Sequence, residues 1–113
     1  MPDDAEPLHA ARLLAVWTTV ASEDDARRIA RLCVEQRLAA CVQWSRIDSC
    51  YEWKGALQQE AEIRIVLKTT HDRYAALEAA VRQAHPYELP AIFAFDVAFA
   101  NEAYRDWVAA QVG

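Results

Sequence analysis

The chain has 113 residues, a formal charge of −5 and 54% hydrophobic residues, including four Trp, four Tyr and three Phe. This composition predicts one globular domain and excludes a disordered chain. The acidic balance excludes a nucleic-acid binder, which needs a basic surface. Two glycines are too few for a phosphate-binding loop, and no apolar run approaches the ~20 residues that span a bilayer.

The first residues, MPDDAEPLHA, are acidic and polar, the reverse of a secretory signal, and predict a disordered tail over 1–11. The three cysteines, Cys33, Cys41 and Cys50, are odd in number and lack C-x-x-C spacing. A disulfide framework and a zinc finger are therefore not expected. Together these features predict a cytoplasmic protein with reduced thiols.

A buried strand followed by an amphipathic helix is predicted next. Residues 12–20, RLLAVWTTV, have strand composition, and 22–37 have apolar residues at helical spacing. Ser22 is a suitable N-cap, and Asp25 three residues later makes an approximate capping box. Cys33 falls on the apolar face, where a free thiol packs as a small hydrophobe, so we interpret it as core rather than as a ligand.

Two extended segments occupy 38–70, joined by a turn at Lys54-Gly55. In the second segment, apolar Ile63, Ile65 and Leu67 alternate with Arg64, Val66 and Lys68, which is the period of a strand. A hairpin of this length overhangs a small sheet and would leave edges and aromatic surface exposed in a monomer. The exposed aromatic residues would be Trp44, Tyr51 and Trp53. This feature predicts self-association.

The C-terminal half predicts a helix, a strand and a second helix. Residues 71–85 are helical in pattern, with Thr69 or Thr70 as the cap, and Pro86 ends them. A strand is predicted over 90–99, with alternate side chains Phe93, Phe95, Val97 and Phe99 on one side. Asn101 then caps a helix whose Tyr104, Trp107 and Val108 are expected to face inward.

The predicted order is βαββαβ with an added C-terminal helix. This order favours an α+β fold, the ferredoxin-like sandwich of a four-stranded antiparallel sheet with two helices on one face. Its β2–β3 hairpin would be unusually extended. No linker or repeat interrupts the chain, so 12–113 are expected to form one domain.

Four segments carry a resemblance to a known family. LAACV (38–42), YEWKG (51–55), LKTTHDRY (67–74) and HPYELP (85–90) occur in the order and spacing of the CutA family, the divalent-cation tolerance proteins. The resemblance implies a ferredoxin-like fold in a tight homotrimer, with the hairpin reaching across to neighbouring subunits. This architecture is similar to that of PII-type signalling trimers, whose intersubunit clefts hold small effectors. It implies no enzymatic reaction.

The resemblance also implies a relation to copper(II) or another divalent metal ion. The proposed copper site of some members uses a cysteine where this chain has Trp17 and a first histidine where it has Ala84. The segment QWSR (43–46) also departs from the family pattern, since it lacks proline and glycine. The metal-ligand candidates here are His85 and Cys41, because imidazole and thiolate suit copper.

Each metal candidate has a structural alternative. His85 follows a helix and could stabilise its carbonyl end as a cation. Cys41 and Cys50 could be small buried strand residues rather than ligands or redox thiols.

A third set of residues has the composition of a small-ligand cleft, with aromatic walls and a few charges. Its members are Tyr51, Trp53, Glu60, Glu62, Lys68, Tyr87 and Glu88. The same residue types also anchor subunit interfaces, and an intersubunit cleft serves both purposes. Glu62 and Arg64, two residues apart on one strand face, are expected to form an ion pair.

The segment HPYELP is first a structural stop, since Pro86 ends a helix and Pro90 precedes a strand. Its stiffness suits binding by Tyr87 and Glu88. No catalytic constellation is recognisable. The sequence therefore predicts a non-enzymatic trimeric metal-homeostasis protein that binds copper(II) or responds to metal ions. The alternatives are a PII-like sensor relaying a small effector to a protein partner, and a scaffold for another protein.

Overall fold

The computed structural model describes residues 12–113, so the predicted tail over 1–11 lies outside the described residues. The chain forms, in order, β1 (Leu13–Val20), α1 (Glu23–Glu35), β2 (Cys41–Trp53), β3 (Ala56–Thr70), α2 (Tyr74–Ala84), β4 (Ile92–Asp96) and α3 (Glu102–Val112). A 3₁₀ turn, His71–Arg73, leads into α2. Within the described part of the chain, no helix is both long and apolar enough to cross a membrane.

The four strands form one antiparallel sheet in the order β2-β3-β1-β4. This is the ferredoxin-like arrangement, in which the first and third strands lie side by side at the centre. The predicted α+β fold with an extended hairpin and a C-terminal helix is confirmed.

The core lies between one face of the sheet and the helices α1 and α2. Alternate residues of β1 and β3 supply the sheet side, and apolar residues at helical spacing supply the other side. The fully buried members include Val16, Ile65, Leu67, Ile29, Cys33, Leu77 and Val81. Burial raises the pKa of the Cys33 thiol to about 11, which keeps it protonated and agrees with its predicted place in the core.

Two of the predicted helix caps are present. The Ser22 side chain accepts a hydrogen bond from the Asp25 N–H at 3.1 Å, and Asn101 Oδ1 accepts one from the Tyr104 N–H at 2.8 Å. The predicted threonine cap is wrong, because the Thr70 hydroxyl donates to Asp72 Oδ1 instead of accepting from the helix backbone.

The C-terminal predictions need two further corrections. The last strand ends at Asp96 rather than at residue 99, because its partner β1 begins at Leu13, whose carbonyl accepts the last hydrogen bond, from the Val97 N–H. Phe99 is consequently 93% exposed. Trp107 does not face inward but is 44% exposed and stacks on Tyr104, with ring centroids 5.9 Å apart.

The β2–β3 hairpin extends well beyond the rest of the sheet. Pairing of β1 with β3 stops at Val20 opposite Ile63, so residues 47–62 form a two-stranded ribbon, which we call the arm. Lys54 and Gly55 at its tip both have positive φ, 52° and 80°, as a two-residue type I′ turn requires. The arm gives the molecule its elongated shape, 55 × 25 × 23 Å.

Candidate functional site

A cavity of about 490 Å³ lies alongside the arm, between residues 51–62, the end of β1 and the chain that follows α2. It is lined by Thr19, Ala21, Tyr51, Trp53, Glu60, Ala61, Glu62, Tyr87, Leu89 and Ala91. The volume is that of a small-molecule site. Five of the seven residues predicted for a ligand cleft therefore come together here.

The segment after α2 is held in place by His85. Pro86 disfavours helical geometry at the residue before it, and His85 accordingly has extended backbone angles. Its side chain is 8% exposed and lies against β1, where Nε2 is 2.8 Å from the Thr19 carbonyl oxygen. The Tyr87 N–H donates to Nδ1 at 3.1 Å. Nδ1 is thus an acceptor, so the neutral ring carries its proton on Nε2.

This geometry corrects the interpretation of His85 as a cationic helix cap. The ring contacts β1 rather than the carbonyl end of α2, and it serves as a neutral bridge between β1 and the segment carrying Tyr87. Burial lowers the pKa of His85, partly opposed by the hydrogen bond to Thr19. A cationic ring would also lose the acceptor that holds the Tyr87 backbone.

Tyr87 and Glu62 form the inner polar pair of the cavity. The Tyr87 hydroxyl donates to Glu62 Oε2 at 2.6 Å, and Glu62 is only 5% exposed. Burial, followed by the hydrogen bond to Glu62, raises the pKa of Tyr87. The hydroxyl therefore stays protonated and acts as the donor.

Tyr51 and Glu60 form a matching outer pair on the arm. They lie on the same ribbon face because Ser49 pairs with Glu60 and Tyr51 pairs with Gln58. The Tyr51 hydroxyl donates to Glu60 Oε1 at 2.5 Å. This hydrogen bond is the main cause that raises the pKa of Tyr51 to about 12.

The other two residues predicted for the cleft lie outside the cavity. Lys68 is six residues from Glu62 along β3, about 20 Å at the rise of a strand, and its ammonium donates to Gln43. Glu88 is exposed and points to Lys54 Nζ, 3.5 Å away. The predicted ion pair between Glu62 and Arg64 is also wrong, because the Arg64 guanidinium lies over the Trp17 ring.

Sequence reasoning missed the apolar part of the cavity wall. Leu89 lies two residues after Tyr87 in the stiff HPYELP segment, and this proximity could have identified it as a wall residue. Thr19, Ala21 and Ala91 give no such signal, because they reach the cavity only through the pairing of β1 and the path of the chain before β4.

The metal candidates do not form a centre within one chain. Among residues 12–113, no three His, Cys, Asp or Glu side chains come together in a way that could hold a metal ion. Both ring nitrogens of His85 are already hydrogen-bonded, and Cys41 is a partly buried strand residue opposite Lys68. The described side chains of a single chain therefore do not fit a copper site.

Fold and cavity together define a small ferredoxin-like protein with an extended arm and a cavity lined by aromatic and acidic side chains. The sequence profile of the CutA1 divalent ion tolerance protein family matches residues 14–111. The chain belongs to this family, and the predicted resemblance is confirmed.

Individual relatives agree with this assignment. The divalent-cation tolerance protein CutA of Thermus thermophilus is 39% identical over 99 residues, which cover 87% of this chain and 96% of the relative. The protein CutA of Mus musculus is 41% identical over 95 residues, 83% of this chain but only 54% of the mouse protein. This chain therefore spans about half the length of the mouse relative.

The fold also matches solved structures. The periplasmic divalent cation tolerance protein CutA of Archaeoglobus fulgidus superposes with a TM-score of 0.87 at 29% identity. The match covers 89% of this chain and 99% of that one.

Proposed function

We propose that this protein is a non-enzymatic sensor of the divalent-cation tolerance family that binds a small effector in the cavity alongside the arm. The observation that carries the proposal is the convergence of Tyr51, Trp53 and Tyr87 with two carboxylates around 490 Å³ of space. Rigid aromatic walls with a few oriented polar groups are the usual construction of a small-molecule site. The effector signal would pass to a protein partner.

The sensor is further proposed to be a homotrimer in the cytoplasm. The sheet face opposite α1 and α2 carries an exposed aromatic cluster in which Phe93 and Phe95 flank Trp17. Phe95 is 53% exposed. Self-association would cover this aromatic surface and the arm. Light scattering on metal-free protein tests the assembly, with an expected mass of three times the 12.8 kDa chain. A monomer at working dilution would remove this part of the proposal.

Effector binding is tested by thermal-shift screening of nucleotides and small metabolites against the purified assembly. Compounds that stabilise the protein should lose their effect when Trp53 is replaced by Ala. They should keep it when Trp107, a similarly exposed tryptophan outside the cavity lining, is replaced by Ala instead. The absence of any stabilising compound at millimolar concentration would count against a sensor.

Direct binding of copper(II) or another divalent metal ion is the second candidate function. It is supported by the description of the family as divalent ion tolerance proteins, not by a donor cluster among the described side chains of one chain. A Cu(II) titration of the wild type, His85→Ala and Cys41→Ser tests the two predicted ligands. Equal affinity in all three proteins would remove both residues from the account.

A further inference from the structure

The cavity has an unusual charge balance, which bears on the class of effector. Its described lining contains two carboxylates, Glu60 and Glu62, and no lysine, arginine or histidine. The Lys54 ammonium adjoins the wall over Trp53 but is paired with Glu88, and Arg64 lies over Trp17. A phosphate or carboxylate ligand would therefore meet the two carboxylates of the lining, while the adjacent Lys54 charge is already balanced by Glu88.

Glu62 supplies a strong reason to expect a cationic ligand. It is 95% removed from solvent, and Tyr87 donates to one of its oxygens, Oε2. The other oxygen, Oε1, has no donor among the described residues and keeps accessible surface where Glu62 lines the cavity. A ligand N–H or a positive charge in the cavity would meet this oxygen of an otherwise buried carboxylate directly.

The remaining wall suits the organic part of such a ligand. Trp53, Tyr51 and Tyr87 present aromatic rings, and Leu89 with three alanines adds apolar surface. Aromatic rings attract ammonium groups through their negative faces. Trp53 already does this within the chain, since Lys54 Nζ lies 5.6 Å from its ring centroid.

A bare metal ion fits this wall poorly. Hard divalent cations require six or more oxygen ligands, whereas the described lining offers two carboxylates that are each engaged by a tyrosine. The apolar surface would gain nothing from a small inorganic ion. An ammonium group with a short alkyl chain uses both parts of the wall.

We infer that the cavity selects a small organic cation, a protonated or quaternary amine, whose charge lies against Glu62 and whose alkyl groups contact the aromatic wall. The inference rests on the proposed effector site and narrows it to one chemical class. Glu60, held by Tyr51 at the outer side, would add charge at the mouth of the cavity.

The test compares ligands that differ only in charge. Choline and its neutral isostere 3,3-dimethyl-1-butanol, with ethanolamine, putrescine and ATP as further probes, are titrated into the purified full chain by calorimetry at low salt. We expect at least one amine to bind with a dissociation constant of about 1 mM or below, and choline to bind at least about tenfold more tightly than its isostere.

Variants locate the binding. Glu62→Gln keeps the shape and removes the charge, and it should weaken amine binding at least about tenfold. Glu60→Gln, on the exposed arm, should weaken amine binding less than Glu62→Gln does. It replaces Glu62→Gln as the test if that buried variant does not fold. Glu88→Gln is the matched control, since this exposed carboxylate lies next to Tyr87 but outside the cavity, and its affinity should equal that of the wild type.

Four outcomes would overturn the inference, and they separate it from the proposed function. Equal binding of choline and its isostere, or binding of ATP alone, would refute selection of a cation and leave the effector site standing. Equal loss in the Glu62 and Glu88 variants would place the ligand elsewhere. Binding of no compound in this or the wider screen would refute both proposals.

Discussion

Replacing Tyr87 with Phe removes one oxygen atom and tests the inner pair of the cavity. The Tyr87 hydroxyl is the donor that the structure gives to Glu62, at 2.6 Å. The phenyl ring retains the packing, so the change isolates the hydrogen bond. Glu62 would then be a carboxylate, 5% exposed, without a donor from the described residues.

The expected loss follows from the burial of Glu62. A hydrogen bond to a charged group contributes about 1.5–3 kcal/mol to stability. Removing the donor also leaves the desolvation cost of the buried acceptor uncompensated. We therefore expect the free energy of unfolding to fall by about 2 kcal/mol. The matched Tyr51→Phe variant breaks the same kind of bond on the exposed arm, where water replaces the hydroxyl, and it should change stability far less.

The assay is urea unfolding followed by tryptophan fluorescence, with all variants at one protein concentration because assembly makes stability concentration-dependent. The double variant with Glu62→Gln completes a mutant cycle and should show coupling between the two positions. Equal midpoints for the Tyr87 and Tyr51 variants would refute the reasoning, because the buried carboxylate would then not depend on this donor.

Three further predictions concern other parts of the molecule. Burial lowers the pKa of His85 below its ordinary 6.5, so the unfolded chain takes up the proton more readily, and stability should fall as pH drops below 6.5. His85→Gln should flatten this pH dependence in unfolding curves measured from pH 8 to 5. An unchanged slope in the variant would contradict the prediction. Lys54→Asn should raise the free energy of unfolding by about 0.5–1 kcal/mol in urea titrations, since asparagine tolerates the left-handed angles of the type I′ turn better than lysine; no gain would argue against strain at the turn. Phe95→Lys places a charge in the exposed aromatic cluster and should reduce the mass measured by light scattering to that of one chain, whereas an intact trimer would exclude this face from the interface.

Periodicity was sufficient to predict most of the fold. The alternation of Ile63, Ile65 and Leu67 gave the strand and its buried face, and Lys54-Gly55 gave the turn. The end of β4 could not be predicted, because it depends on where β1 begins rather than on the composition of 90–99. Local pattern determines the type of an element, whereas its partner determines its length.

The candidate site was predictable in composition but not in geometry. Tyr87 and Glu62 lie 25 residues apart, and they meet in a fold where His85 joins the Tyr87 segment to β1. Lys68 lies on the same face of β3 as Glu62 but too far along the strand to reach the cavity, and its ammonium donates to Gln43 instead. With the Lys68 ammonium in the wall, the charged groups of the lining would not all have been acidic, and the cavity would not favour an amine.

The arm tip controls more than the local chain reversal. Because neighbouring strand residues point to opposite sides, one extra residue between Trp53 and Ala56 would displace β2 by a single step against β3. The ring of Tyr51 would then leave the side occupied by Glu60, and at the other end of β2 the side chain of Val42 would leave the hydrophobic core. A single codon inserted at the arm tip would thus disturb both the cavity wall and the packing of the distant core.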